Sequence, residues 1–202
     1  MNKAEMISIA TSSFNEHGFR LTEGEKLIQQ SGIPLPSYRE EFGSVQALVF
    51  EIFAQLCEES DCISQGLDAK GTTLKNLLNT TIESYRVQTK FRFIFLNLHE
   101  IIEQIEPIKD RYYELISLRK SQLIHLFQLL ENDQLMRGEV VSGQYDNLAN
   151  QMIILSDFWL THNNMVFGQD NFKPEYYSKL VLSILVPYLT ESGLEDYRTI
   201  DA

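Results

Sequence analysis

His99 and Glu103 are the first pair in this chain spaced like a site. Four apart on a helix, an imidazole and a carboxylate share one face and can occupy two positions around a cation. No third ligand stands near them, so an ordinary surface pair is expected and no metal. The stretch Gly66–Thr72, GLDAKGT, has the glycine spacing of a phosphate loop. Its lysine, Lys70, precedes the second glycine instead of following it, where it cannot reach terminal phosphates. A flexible loop is the expectation there. Cys57 and Cys62 are five apart, roughly 7–8 Å along a helix axis, too far for a disulfide. Two thiols are also too few for a zinc site. They read as incidental thiols of a reducing cytoplasm. The chain has no G-x-S-x-G and no HExxH. Without a nucleophile, a metal motif or a cofactor motif, no enzyme and no cofactor are expected.

Composition narrows the classes further. The 202 residues are 44% apolar and 22% charged, which suits a folded globular chain. Lys and Arg number 17 against 28 Asp and Glu, a net charge of −11. A protein that binds nucleic acid with its whole surface is excluded, because phosphate neutralisation needs clustered cations. A small basic patch on an acidic body remains allowed. No apolar run is long enough for a membrane span, and the acid at Glu5 argues against a secretory leader. No contact with a membrane is expected.

The elements that would position any site are helices almost throughout. Met6, Ile7, Ala10 and Phe14 have helical spacing over 3–16, and Gly18 supplies a stop. Thr22 with Glu25 fits a capping box for a short helix ending by Gly32. Pro34 and Pro36 bracket a third short helix through about Glu41, since proline is tolerated in a first turn. A fourth runs over about 45–59. A loop is expected over 60–73, where Gly66 and Gly71 fall. Longer helices follow over about 74–89, 91–103, 108–131, 144–166 and 174–190, with a polar connection over 132–143 and a frayed tail after Gly193.

The helices over 144–166 and 174–190 are apolar nearly all round, and such a helix must be buried on all sides. Either they form a deep single core or a second copy covers them. A two-fold interface is the expectation, carried by Leu155, Phe158, Leu180, Ile184 and Tyr188.

The first 50 residues carry a pattern. Ile7-Ser8-Ile9-Ala10 leads into Phe14-Asn15-Glu16-His17-Gly18-Phe19, then Leu21-Thr22. Leu27-Ile28-Gln29-Gln30-Ser31-Gly32-Ile33 and Phe42-Gly43-Ser44 follow, with Ala47-Leu48 beyond. In these residues the chain resembles the TetR family of bacterial regulators, without insertions. The resemblance implies an all-α fold, with a three-helix head at 1–46 containing a helix-turn-helix and a helical ligand-binding and dimerisation body at 47–202. It implies a cytoplasmic one-component transcriptional regulator that binds operator DNA as a homodimer under a small-molecule effector. On the family pattern Thr22, Pro36, Ser37, Tyr38 and Arg39 would face DNA. A small apolar effector would sit among Phe95, His99, His125, Trp159 and His162. His125, Asp157, Trp159 and His162 also read as core or interface hydrogen-bonding groups, since polar side chains on apolar helices need partners.

The head departs from the pattern where it would meet DNA. Pro34 stands at the usual serine, Leu35 and Pro36 at the usual lysine and glycine. Arg39 stands at the usual tyrosine, with Tyr38 displaced by one, and Val45 stands at the usual lysine. Glu40 and Glu41 add carboxylates where phosphates would repel them. Residues 1–42 hold four Lys and Arg against six Glu. Two readings follow. In one, Ser37, Tyr38 and Arg39 still reach DNA while Glu40 and Glu41 point away or accept from cytosine amino groups. In the other, the head has lost strong DNA binding and the protein works as a dimeric ligand-binding or interaction protein.

Overall fold

The computed structural model describes residues 1–70 and 73–200, the side chains of 65–70 aside. Among these residues the chain is helical, and its extended pairing is one isolated bridge, Met136 with Leu189. The elements in order are α1 (Lys3–His17), α2 (Gly24–Gln30), α3 (Leu35–Glu41), α4 (Val45–Lys70), α5 (Leu74–Lys90), α6 (Arg92–Leu96), α7 (Leu98–Gln104), α8 (Glu106–Asn132), α9 (Gln144–Phe167), α10 (Pro174–Ser183) and α11 (Glu191–Arg198). Single 3₁₀ turns stand at Leu21–Glu23 and Val186–Tyr188.

Two compact units emerge. One holds Met1–Glu59 with Lys90–Tyr113, the other Ser60–Thr89 with Glu114–Ala202. They do not lie on either side of one cut between residues 46 and 47. In the first unit, α6 and α7 join the N-terminal helices, and the reason is chemical. The Asn15 side chain donates to Lys90 O at 2.8 Å and accepts from Phe93 N at 3.0 Å. Phe14, Phe19 and Phe93 form a closed aromatic triad with centroids 4.8–5.2 Å apart. In the second unit, α5, α8, α9 and α10 bury Leu78, Phe127, Leu130, Leu148, Trp159, Leu160 and Val181.

Several expectations need correction. The capping box forms at Asn2 and Glu5, not at Thr22. The Leu21 amide is taken instead by Glu100 Oε1 at 3.0 Å, the chain turns as 3₁₀, and α2 starts at Gly24. The expected loop over 60–73 is helical through Lys70, as α4 continues. One interior glycine costs about 1 kcal/mol, which a helix of 26 residues absorbs. Gly71 and Thr72, the end of the GLDAKGT stretch, lie outside the described residues. The helix expected over 91–103 breaks at Asn97, whose side chain captures Phe93 O at 2.7 Å. The last long helix ends at Ser183, because Pro187 has no N–H to continue the ladder and the chain tightens to 3₁₀. The tail is not frayed through Arg198. Thr190 caps α11 by accepting from Gly193 N at 3.1 Å, while its own N–H donates to Leu135 O at 3.0 Å.

Candidate DNA-facing surface and ligand cleft

In the first unit α2 and α3 are joined by a turn in which Gly32 takes φ +82°, a left-handed value that any side chain would strain. Pro34 caps α3 and Pro36 lies in its first turn, where N–H groups have no helical acceptor. Leu35, Tyr38 and Phe42 recur on one face, and the last two are buried. Tyr38 is 0% exposed, so it is a core side chain and no base reader. The signal was its spacing, three after Leu35 and four before Phe42. Its hydroxyl has no partner, and burial, helped by the Glu25 carboxylate, pushes the phenol up to about 12. Pro36 and Arg39 are exposed on the outer face beside Glu40 and Glu41; Ser37 is half-buried, and Thr22 is exposed on the 3₁₀ turn. Val45 is buried, and a methyl built on Gly24 would stand 2.5 Å from its Cγ1. That position therefore serves the packing of α2 on α4.

In the second unit a cleft of about 560 Å³ opens between α4, α5, α8, α9 and α10. This size suits a small organic molecule. Leu77, Leu123, Leu126, Met152, Ile153 and Val181 supply its apolar wall. Tyr85, Gln88, Arg119, Ser156 and Asp157 bring polar groups inside. Tyr85 Oη and Ser156 Oγ are 2.9 Å apart, and Arg119 Nη1 meets the buried Asp157 Oδ1 at 3.4 Å. Burial pushes the Tyr85 phenol up, opposed by the Ser156 hydrogen bond and aided by the Asp157 charge.

The five residues expected around an effector do not come together. His125 lines the cleft at its exposed side. Trp159 stands behind the cleft wall, fully buried, stacked on Tyr85 at 4.8 Å and donating to Gln88 Oε1 at 2.5 Å. His162 is exposed and bonds the Tyr177 hydroxyl at 2.6 Å. Phe95 and His99 belong to the other unit, Phe95 in its core and His99 exposed. The sequence reading missed Gln88, Arg119 and the hydroxyls of α5. Their signal is weak, because polar residues on an amphipathic helix usually face water. No group of three or more potential metal ligands exists among the described residues.

On α9 and α10 each helix buries one side only. Phe158 is 53% exposed, Leu180 40% and Ile154 61%. Leu155, Ile184 and Tyr188 are half-buried. The all-round apolarity of these helices therefore splits into a core face and an uncovered face.

This is a helix-turn-helix protein with an all-α bundle. Residues 40–197 match the TetR model, described as a bacterial transcriptional repressor. The chain belongs to the TetR family of bacterial transcriptional regulators. Its fold is similar to that of a TetR-family transcriptional regulator from Marinobacter aquaeolei VT8, with a TM-score of 0.84 at 14% identity, covering 100% of this chain and 98% of that one. A protein from Mesorhizobium loti MAFF303099 assigned to the same family gives a TM-score of 0.59 at 13% identity, over 92% and 93% of the two chains. Among curated proteins none matches. No helix among the described residues is long and apolar enough to cross a membrane.

Proposed function

We propose that this protein is a cytoplasmic one-component regulator, a homodimer that binds operator DNA through residues 1–46 and responds to a small molecule in the cleft of the second unit. One observation carries the reading. A chain of this family presents a helix-turn-helix and, in its bundle, a cleft of about 560 Å³ lined by both apolar and polar side chains. The uncovered apolar face of α9 and α10 supports pairing of two copies. Pro36, Ser37 and Arg39 with Thr22 are the groups available for the duplex; Tyr38 acts by holding α3 in place. An effector would favour one of two spacings of the paired heads, and only one spacing fits successive major grooves.

The test is selection of bound duplexes from a random pool, followed by a mobility shift. The expected product is an inverted repeat with half-sites about 34–36 Å apart. If no sequence is enriched, operator binding is wrong. The exposed Glu40 and Glu41 on α3 favour a second reading for that outcome, a dimeric ligand-binding or interaction protein on the same scaffold.

A further inference from the structure

We infer that the cleft selects an uncharged amphiphile carrying a carbonyl oxygen, such as an amide, ester or lactone, which accepts a hydrogen bond from Gln88. The inference rests on the reading of the cleft as the effector site.

Gln88 lines the cleft and is only 6% exposed. The Trp159 indole can only donate, so the atom it meets at 2.5 Å must be the Gln88 oxygen. That fixes which end of the amide is oxygen, occupies one of its two lone pairs, and leaves the amide nitrogen with both hydrogens. The nitrogen makes no hydrogen bond among the described residues. Trp159 cannot easily turn away to release the amide, because it is stacked on Tyr85 with an interplanar angle of 15°. The cleft thus presents a fixed donor pair to an incoming acceptor.

Charge decides which acceptor. The charge buried in the cleft wall is the Asp157 carboxylate, and Arg119 is already set against it at 3.4 Å. Asp61 lines the exposed side, so two carboxylates face one guanidinium. An anionic ligand would enter a site with no surplus positive charge. A cationic one would meet the Gln88 N–H groups end-on with Asp157 already paired by Arg119, so its charge would find a carboxylate only at the exposed rim, beside Asp61. A neutral carbonyl satisfies Gln88 and disturbs neither. The apolar remainder of such a ligand has a lining to follow in Leu118, Leu123, Leu126 and Leu129 of α8, with Met152 and Ile153 of α9 opposite.

Trp159 is the single tryptophan of the chain, and it bonds the proposed ligand-binding residue, so its emission reports occupancy directly. The experiment titrates the full chain with octanamide, octanoate and octylammonium at pH 7, reading emission and melting temperature. The expected result is octanamide binding at least about tenfold more tightly than either charged probe. In Gln88→Glu, where an oxygen still accepts from Trp159 but the donors are gone, the preference should pass to octylammonium. Octanoate or octylammonium binding the wild type as tightly as octanamide overturns this inference and leaves the cleft as an effector site. Silence from all three probes overturns the effector reading and this inference with it. The three-probe comparison on wild type decides the ligand class even if Gln88→Glu does not fold.

Discussion

The two units treat polarity in opposite ways. In Met1–Glu59 with Lys90–Tyr113, polar side chains make joints between elements: Asn15 ties α1 to Lys90 and Phe93, and Glu100 holds the Leu21 amide. Aromatic rings fill the space behind them, and the outer face of α3 is charged. In Ser60–Thr89 with Glu114–Ala202, Gln88, Arg119 and Asp157 turn toward a cleft, while Ile154, Phe158, Met165 and Leu180 stand in the open. The first unit has a core built on the Phe14, Phe19 and Phe93 rings. The second turns polar groups toward a cleft and leaves apolar side chains of α9 and α10 exposed, the two features on which the proposed ligand and dimer rest.

The sharpest way to break that contrast is Phe158→Glu. Phe158 is already more than half exposed, so the change leaves the fold of one chain intact. If α9 and α10 form the interface, a charge placed in its centre should cost 2 kcal/mol or more, roughly a 30-fold weaker dimer. Sedimentation at micromolar concentration reads this. A wild type that sediments as a monomer would mean the exposed face needs another explanation.

A smaller effect is expected inside the first unit. Asn15→Ala removes one donor and one acceptor and strands Phe93 N, which should cost about 1–3 kcal/mol. Thermal unfolding would show a melting temperature several degrees lower. An unchanged melting temperature would mean that the joint between α1 and α6 rests on the Phe14, Phe19 and Phe93 rings and on the Arg92 guanidinium, which donates to Asn15 O at 3.2 Å.

The smallest effect concerns the charged face. Glu40→Gln with Glu41→Gln should tighten binding to generic duplex by a few fold, and Arg39→Ala should weaken it. Wild-type affinity should fall only shallowly with salt, since each neutralised phosphate contributes a slope of about −0.9 and the head exposes few cations beyond Arg20, Lys26 and Arg39. A salt titration of all three proteins checks this. Steep salt dependence in the wild type would show that the head makes many phosphate contacts despite its carboxylates.

How much of this was legible differs between the units for a physical reason. The family pattern lies in the first 50 residues, and helix-turn-helix order, the stop at Gly18 and the proline-led start of α3 are all local features. The side on which Tyr38 falls was also legible, because Leu35, Tyr38 and Phe42 share one helical face, yet the family position drew it outward. Pro187 likewise marks where α10 must end, although the apolar run through Leu189 carried the expected helix on to 190. The cleft was less accessible. Phe95, His99 and His162 carry the residue types of a pocket, but packing sends the first to the core of another unit and the other two into solvent.

By itself the sequence determined the helical class, the positions of most helix ends and the absence of familiar catalytic motifs. Those depend on periodicity, capping and proline, which act over a few residues. Tertiary structure alone decided that Asn15 joins α1 to α6, that Trp159 orients the Gln88 amide from 71 positions away, and that α9 keeps one apolar face uncovered. The first two require groups distant in the chain to meet, and the third depends on which face of α9 the other helices cover; no local preference encodes which partner a side chain finds.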